Sequence, residues 1–239
     1  MKTMVVGASK GLGKALVEGL GGAGDTLIGV SRTRPDHIKP QEGVQVHWVE
    51  ADLGDAITAA RALEHAVAED GLDTLIYNLG IWETLAFDPA YAFLADDDEQ
   101  LQAIVNCNIT SPIMLIKRLL PVLLKSANPR IILTGSTSGL ARSGRPEVAF
   151  GASKFALRGM ADALREGYRE QRLGVTCLNL GYLNTEDDFN TPRSTAEQRG
   201  DGQLIPVHDV VQVVRMALSL SSASFVREIT LPAILDERF

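Results

Sequence analysis

The stretch MVVGASKGLG at residues 4–13 decides the fold, because an apolar run passes directly into a glycine-rich turn. After the turn, apolar side chains recur at helical spacing, at Leu12, Ala15, Leu16 and Leu20. This order predicts a buried strand, a tight turn and an amphipathic helix. Glycines let a backbone approach a ligand closely, and the amino end of a helix attracts a pyrophosphate. The glycine spacing differs from the common Gly-x-Gly-x-x-Gly dinucleotide fingerprint, and alone it is also compatible with a structural loop.

Strand-like runs alternate with helical patterns along the rest of the chain. Further strands are predicted at Thr26–Ser31, Val44–Glu50, Thr74–Asn78, Arg130–Ser136, Gly174–Asn179 and Glu228–Leu231. Helices are predicted at Asp55–Glu69, at Glu99–Leu124 with an interruption near Asn108, and at Ser153–Gln171. Such alternation is typical of parallel βαβ units. We therefore expect an α/β fold, a single Rossmann-type doubly wound domain over residues 1–239 with a seven-stranded parallel sheet.

Length, composition and charge predict one soluble domain. The 239 residues are 45% hydrophobic, and the formal net charge of −7 argues against a general affinity for nucleic acid or an anionic membrane. No apolar run reaches the roughly 18 residues that a membrane span needs, and no signal peptide precedes the first strand, so a cytoplasmic location is predicted. Cys107 and Cys177 show neither CxxC nor metal-ligand spacing. We expect buried free thiols and no metal site.

Two segments, residues 81–98 and 186–205, are the least regular and are predicted to be substrate loops. They carry the aromatic residues Trp82, Phe87, Tyr91, Phe93 and Phe189, which are suited to an apolar pocket. Binding residues are often found on such loops, although long surface loops also vary without consequence. The sequence does not define the shapes of these loops, so substrate identity, reaction direction and stereochemistry stay open.

Taken in chain order, the motifs resemble those of the short-chain dehydrogenases/reductases over nearly the whole chain. The matching segments are the glycine turn Gly7, Gly11 and Gly13, then Asp52-Leu53, Asn78-Leu79-Gly80, Asn108, Ser136, Lys154 and Gly181-Tyr182-Leu183-Asn184-Thr185. No single segment is specific, but the ordered set is. Leu180 replaces the usual proline before Gly181, and residues 227–232 lack the Asp-Gly-Gly ending of many members, so the chain resembles a divergent branch.

The resemblance implies a nicotinamide dinucleotide. The residues implied in its binding are Gly7, Ser9, Lys10, Gly11, Leu12, Gly13, Ser31, Arg32, Asp52, Leu53, Asn78, Gly80, Lys154, Gly181, Leu183 and Thr185. Enzymes that select NAD usually place an acidic side chain at the end of the second strand. Here Ser31 and Arg32 stand at that place and Lys10 lies in the glycine turn, so the charges favour NADP(H) over NAD(H). Alternatively, Arg32 and Lys10 are solvated surface residues.

The resemblance also implies catalytic roles. Ser136 would hydrogen-bond the carbonyl oxygen of the substrate, Lys154 would hold the nicotinamide ribose and lower the pKa of a neighbouring tyrosine, and Asn108 would hold a water of a proton relay. Thr185 would bind the carboxamide or a phosphate of the cofactor. Ser138 competes with Ser136, which is preferred because a glycine follows it three residues later. Asn106 competes with Asn108, which is preferred from the local pattern that follows it.

Phe150 stands where the family has its catalytic tyrosine, four residues before Lys154. Residues at this spacing share a helix face, but a phenylalanine has no proton to donate. General acid–base catalysis contributes about 10²- to 10⁴-fold in rate. Three interpretations stay open: an engineered Tyr→Phe variant, a natural enzyme with another acid such as Tyr182, or a dinucleotide-binding sensor or regulatory protein without catalysis. The retention of Ser136, Lys154 and Asn108 favours the first.

The sequence therefore predicts an NADP(H)-dependent short-chain oxidoreductase acting on a small or medium carbonyl or alcohol, with proton transfer impaired by Phe150. Family members are commonly homodimers or homotetramers built through the helices that bear Asn108 and Lys154. The apolar stretch Ile113–Leu124 fits such an interface, although ordinary core packing would look the same.

Overall fold

A computed structural model describes residues 1–237, and a seven-stranded parallel sheet forms its centre, in the order β3-β2-β1-β4-β5-β6-β9. The strands are β1 Lys2–Val6, β2 Thr26–Ser31, β3 Gln45–Glu50, β4 Thr74–Tyr77, β5 Arg130–Ser136, β6 Gly174–Leu180, β7 Leu183–Asn184, β8 Ile205–Pro206 and β9 Glu228–Leu231. β7 and β8 form a separate two-stranded pair. The predicted single Rossmann-type sheet is confirmed.

Helices cover both faces of the sheet. The helices are α1 Gly11–Gly19, α2 Ala56–Val67, α3 Asp98–Val105, α4 Ser111–Leu123, α5 Val148–Gly167, α6 Arg193–Gly200 and α7 Val207–Leu218. α2, α4 and α5 share one apolar core with the sheet, and α1 and α7 share the other. The central strands β1 and β4 are buried almost throughout, as expected for parallel strands packed on both faces. None of the helices in residues 1–237 is long and apolar enough to cross a membrane.

The strand order reverses between β1 and β4. Their carboxyl ends, Val6 and Tyr77, are paired side by side and lead into Gly7 and Asn78. In doubly wound sheets, ligands bind in the crevice outside the carboxyl ends of the strands at this reversal. The fold thus places the glycine turn and the Asn78 segment together at the expected site.

The third predicted helix differs from the observed one at both ends. α5 runs over Val148–Gly167, whereas the sequence pattern predicts Ser153–Gln171. The early start has a physical cause, because the Glu83 carboxylate accepts hydrogen bonds from the backbone N–H groups of Ala149 and Phe150, at 2.9 and 3.1 Å. These groups have no partner within the helix. Glu83 precedes Phe150 by 67 residues, so a local sequence pattern does not predict this helix cap.

The long helix predicted at Glu99–Leu124 is interrupted as expected near Asn108. α3 ends at Val105, a π-helical turn covers Asn106–Thr110, and α4 follows. Single π-helical turns inside α-helices are frequent at functional sites. The interruption therefore marks the segment that carries Asn108.

The two irregular segments differ in structure. Residues 81–98 wind over the start of α5 with a 3₁₀ turn at Phe93–Ala95. Residues 186–205 contain α6, and β7 pairs with β8 to join the two ends of this segment. The second segment is thus a partly helical excursion with a closed base.

Candidate active site

The turn after β1 is built so that only glycine fits. Gly7 and Gly11 have φ angles of +81° and +53° in the left-handed region, and a Cβ on Gly7 would lie 2.9 Å from the Leu79 backbone. A Cβ on Gly13 would lie 1.9 Å from the Gly7 carbonyl oxygen. The first turn of α1 carries no acidic residue, and the Lys10 side chain does not cap it. The amino end of α1 thus suits an anionic group such as a pyrophosphate.

Two further predicted segments approach this turn. The Asn78 amide Nδ2–H donates to the Gly7 carbonyl at 3.4 Å. A Cβ on Gly11 would lie 3.3 Å from Thr185, which follows β7. The structure therefore brings residues from three places in the sequence to one crevice at the carboxyl edge of the sheet.

The end of β2 holds the groups predicted to choose between the cofactors. Arg32 is exposed, as is Lys10 in the glycine turn. The Ser31 hydroxyl, however, donates to the Thr33 carbonyl at 2.7 Å and accepts from the Trp48 indole N–H at 3.1 Å. A serine hydroxyl has one proton to donate. The Ser31 proton is thus directed at the Thr33 carbonyl, and Arg32 and Lys10 are the exposed cations at this site.

Lys154 lies buried on α5, with 5% of its surface exposed. Its Nζ donates to the Thr134 carbonyl at 3.0 Å, and a Cβ on Gly80 would lie 3.2 Å from Nζ. Burial lowers the pKa of Lys154 to about 8, while interactions with Cys177 and Cys107 act in the opposite direction. The ammonium therefore sits beside the Asn78-Gly80 segment, next to the crevice. Desolvation makes it a better proton donor than an exposed lysine.

Cys107 and Cys177 are buried free thiols, as predicted. Burial raises the pKa of each thiol to about 11. The charge of Asp52 raises the pKa of Cys107 further, whereas Lys154 and Arg32 lower it.

Asn108 is 1% exposed, and its side chain ties three elements together. Its Nδ2 donates to the Ile81 carbonyl at 2.7 Å and to the Ser153 hydroxyl at 3.0 Å, and its Oδ1 accepts the Ile81 N–H at 2.9 Å. Both amide protons are used, and one acceptor position on Oδ1 remains. The rival Asn106 is exposed on the same π-helical turn.

Ser136 ends β5 and is partly exposed, whereas its rival Ser138 is 3% exposed. The Ser136 Oγ accepts the Ser138 N–H at 3.1 Å, which leaves the Ser136 proton available. A Cβ on Gly139 would lie 2.8 Å from the carbonyl carbon of Lys154. This glycine lets the turn after Ser136 pack directly on α5.

Phe150 projects toward Lys154 as the i, i+4 spacing predicts, with the Lys154 Nζ 5.3 Å from the ring centroid. The ring is 6% exposed and belongs to an aromatic cluster. Phe87 packs edge-on against it at 5.3 Å between centroids, and Trp82 does so at 6.2 Å. Phe87 also contacts the Tyr182 ring at 5.6 Å. Aromatic rings thus surround Phe150, at the position where the family has a tyrosine hydroxyl.

Residues 2–195 match the family model described as short chain dehydrogenase. The chain belongs to the short-chain dehydrogenase family. An uncharacterised oxidoreductase of Escherichia coli (strain K12), YciK, is 32% identical over 193 residues, which cover 76% of this chain and 73% of the relative. The 3-oxoacyl-[acyl-carrier-protein] reductase FabG of Pseudomonas aeruginosa (strain PAO1) is 27% identical over 239 residues, covering 96% and 94%.

Solved structures share the fold of this short-chain dehydrogenase at lower identity. A metagenomic short-chain oxidoreductase in complex with NADP has a TM-score of 0.75 at 20% identity and covers 97% of both chains. An alcohol dehydrogenase from the archaeon Thermococcus sibiricus, complexed with 5-hydroxy-NADP, has a TM-score of 0.77 at 16% identity, covering 99% and 97%. These likenesses support the short-chain dehydrogenase fold.

Two buried carboxylates at the start of α5, Glu83 and Glu147, were not predicted from the sequence of this short-chain dehydrogenase. Glu83 is fully buried and caps the helix, and Glu147 is 3% exposed and accepts the Phe87 N–H at 2.9 Å. Within residues 1–237, the second oxygen of each carboxylate is buried without a hydrogen-bond partner. The sequence signal for Glu83 is the presence of an acidic residue between the apolar residues Ile81 and Leu85, which indicates a buried carboxylate. Together the two carboxylates anchor the first irregular segment on the helix that bears Phe150 and Lys154.

The aromatic residues of the two irregular segments do not all meet. Trp82 and Phe87 surround Phe150, while the Tyr91 hydroxyl donates to Asp96 and accepts the Val148 N–H. The Phe189 ring instead stacks on His208 at 5.0 Å and lies against Gly19, on the α1 and α7 face of this short-chain dehydrogenase. Phe189 is therefore outside the aromatic cluster.

Proposed function

We propose that the chain is an NADP(H)-dependent oxidoreductase for a small or medium carbonyl or alcohol, with its proton-transfer step impaired by Phe150. The observation that carries the proposal is the convergence of a glycine turn without room for a Cβ and a buried lysine at one edge of the sheet. The relative named a 3-oxoacyl-[acyl-carrier-protein] reductase supports a carbonyl substrate.

The choice of NADP(H) rests on charge. Arg32 and Lys10 are exposed cations at the end of β2 and in the glycine turn, and the first turn of α1 carries no acidic side chain. An arginine offers a planar pair of donors that matches a phosphate. The neighbours described as complexed with NADP and 5-hydroxy-NADP agree with this choice.

When bound, the reduced nicotinamide supplies a hydride to the carbonyl carbon. Ser136 donates its free proton to the carbonyl oxygen, which polarises the carbonyl and fixes its orientation. The Thr134 carbonyl holds the Lys154 ammonium beside Gly80, with Asn108 close by, and this ammonium would bind the nicotinamide ribose. Thr185 and Asn78 lie beside the glycine turn, and Thr185 would bind the carboxamide or a phosphate of the cofactor.

The step that lacks a dedicated group is proton donation to the product alkoxide. Phe150 has no acidic proton, and Tyr182 is the alternative acid. The Tyr182 hydroxyl accepts a hydrogen bond from Arg145 at 2.5 Å, and the Arg145 guanidinium lies 4.6 Å from the Tyr182 ring. The Tyr182 hydroxyl is only an acceptor in this bond, so its own proton stays available and Tyr182 remains the alternative acid. We propose that the chain binds its cofactor and turns over slowly, because the residue on the helix face of Lys154 is a phenylalanine.

Restoring the hydroxyl tests the proposal. Phe150→Tyr is expected to raise NADPH-dependent reduction of carbonyl substrates, 3-oxoacyl thioesters among them, by about 10²- to 10⁴-fold. Phe155→Tyr is the matched control, since it adds a hydroxyl to an exposed ring of the same helix. Ser136→Ala in the Phe150→Tyr background should remove most of the gain. The readout is the loss of NADPH absorbance.

A second candidate function, a dinucleotide-binding sensor or regulatory protein, is favoured by one observation, the packing of Phe150 among Trp82 and Phe87. NADPH binding without turnover in the Phe150→Tyr protein would support the sensor. Absence of dinucleotide binding in both proteins would reject both functions.

We also propose a homodimer or homotetramer that forms through α4 and α5. Val105, Ile113 and Phe155 are large apolar side chains on or beside these helices, and each is 43–45% exposed. Sedimentation velocity checks the proposal, and Ile113→Glu with Phe155→Glu should shift the protein to monomer. A monomeric parent protein would contradict it.

A further inference from the structure

A second concave site lies away from the crevice described above. It is a pocket of about 350 Å³ lined by the start of β5, the end of α5 and the segment before β9. Its arginines are Arg130, Arg165, Arg169, Arg172 and Arg227. The rest of the lining is apolar or small, and no acidic residue belongs to it. The pocket is therefore strongly cationic in a chain whose formal net charge is −7.

The pocket lies at the amino edge of the sheet. Arg130 begins β5, and Leu173 and Arg227 stand immediately before β6 and β9, which run parallel to β5. Ser136 ends β5 at the opposite edge. A seven-residue strand spans about 23 Å, so the pocket is separate from the cofactor crevice.

Two guanidinium groups form a fixed floor. Arg130 is 5% exposed, and its Nη2 donates to the Ser221 and Ser224 carbonyls at 3.1 and 2.9 Å. Within the described chain its Nε–H is buried without an acceptor. A Cβ at Gly174 would lie 2.2 Å from the Arg130 Nη1, so the backbone there leaves room for the guanidinium. Burial lowers the pKa of Arg130, because desolvation disfavours the charged form of the guanidinium.

Arg165 completes the floor. Its Nε donates to the Val175 carbonyl at 2.8 Å, its Nη2 to the Arg227 carbonyl at 2.8 Å, and its Nη1 to Asp162 at 2.5 Å. These bonds tie α5 to β6 and to the segment before β9. The floor is thus rigid and positively charged before any ligand arrives.

Three arginines at the rim remain accessible. The side chains of Arg169 and Arg227 are 74% and 69% exposed, and each pairs with an exposed carboxylate, Glu166 and Asp162. Asp162 also pairs with Arg165, so two carboxylates stand against the five guanidinium groups and the pocket keeps a net positive charge. Within residues 1–237, the Arg172 guanidinium is exposed and makes no hydrogen bond or ion pair.

The backbone at Arg172 adopts a conformation that is uncommon for arginine. Its φ angle is +57°, in the left-handed region that glycine or asparagine usually occupies after a helix. The chain nevertheless places an arginine there, and the turn is closed by the Arg172 N–H donating to the Arg169 carbonyl at 3.0 Å. This turn joins Arg169 and Arg172, which both line the pocket.

We propose that this pocket binds a small oxyanion with at least two negative charges, a phosphomonoester or pyrophosphate group. Guanidinium groups match phosphate oxygens in pairs, and several arginines around one concavity favour a compact multivalent anion over a single carboxylate. The volume lies at the lower end of the range for small-molecule sites, about 300–1,000 Å³. The group is carried either by a soluble metabolite or by a phospholipid headgroup.

Pyrophosphate titrated calorimetrically into the purified chain at constant ionic strength tests the proposal. The rim variant replaces Arg169, Arg172 and Arg227 with glutamine and leaves the buried floor intact, so it should fold. We expect the rim variant to bind at least about tenfold more weakly, because each hydrogen bond to a charged group contributes measurably. The glycine turn also attracts pyrophosphate, so the matched control replaces Lys10 and Arg32 with glutamine and should retain the pocket's binding.

A second arm distinguishes the two sources of the anion. If the chain cosediments with vesicles of phosphatidic acid in phosphatidylcholine and the rim variant does not, the ligand is a phospholipid headgroup. If the chain binds free pyrophosphate but not the vesicles, the ligand is a soluble metabolite. The proposal is overturned if neither pyrophosphate nor the vesicles bind. It is also overturned if sodium chloride of equal ionic strength gives the same calorimetric heat as pyrophosphate, or if binding is lost only in the variant that replaces Lys10 and Arg32. Circular dichroism of the rim variant checks its fold.

Discussion

Lys154→Met is expected to change how stability depends on pH, because the lysine is buried. Burial lowers the pKa of Lys154 to about 8, against an ordinary value of 10.5 in the unfolded chain. Between these values the unfolded state binds more protons than the folded state, so unfolding free energy rises with pH. Below pH 8 the lysine is charged in both states and its contribution is constant.

The magnitude follows from the two pKa values. At about 1.4 kcal/mol for each pKa unit, their difference corresponds to about 3 kcal/mol. The unfolding free energy of the parent protein minus that of Lys154→Met should therefore increase by about 3 kcal/mol between pH 7 and pH 10.5. Tyrosines and cysteines also titrate in this range, but they are present in both proteins, so their contributions largely cancel in the difference.

The assay is urea denaturation at intervals between pH 7 and pH 10.5, with unfolding followed by circular dichroism. Lys117→Met, which removes an exposed lysine from α4, is the matched control for loss of an ammonium. A difference that stays flat between pH 7 and pH 10 would refute the burial of a charged Lys154, and a difference that falls with pH would refute the sign.

Three further predictions concern single sites. Glu83→Ala should destabilise the fold by about 1–3 kcal/mol in urea, because it leaves two buried N–H groups at the start of α5 without an acceptor, and Glu83→Gln should cost less. Gly13→Ala should weaken NADPH binding and lower the unfolding free energy by about 1–3 kcal/mol, because the added Cβ would clash with the Gly7 carbonyl. Gly159→Ala is the control on α5 and should raise the unfolding free energy, because open space surrounds Gly159. Arg32→Ala should narrow the preference for NADPH over NADH by about tenfold, measured by calorimetry. Equal affinities for the two cofactors before and after that change would contradict the charge argument.

The sheet was predictable from local sequence. β2, β5 and β9 have the predicted bounds Thr26–Ser31, Arg130–Ser136 and Glu228–Leu231. Runs of β-branched and apolar residues between turn signals identify buried parallel strands directly. The alternation with helices then leaves few topologies, because parallel crossovers are right-handed. The glycine turn is equally local, since its φ angles and close contacts demand glycine.

The parts that were not predictable depend on distant partners. The start of α5 is set by Glu83, which lies in another segment. The direction of the Ser31 hydroxyl likewise depends on the positions of Thr33 and Trp48. The aromatic cluster around Phe150 likewise requires the path of residues 81–98, which no periodicity encodes. The arginine pocket combines three segments that are adjacent only in the folded sheet.

The most direct test of the central claim is calorimetric titration of NADPH and NADH into the chain with Phe150 in place. We predict that NADPH binds at least about tenfold more tightly than NADH, because exposed Arg32 and Lys10 favour the additional phosphate. Tighter binding of NADH would contradict the assignment of the cofactor, and absence of binding by both would contradict the dinucleotide site itself.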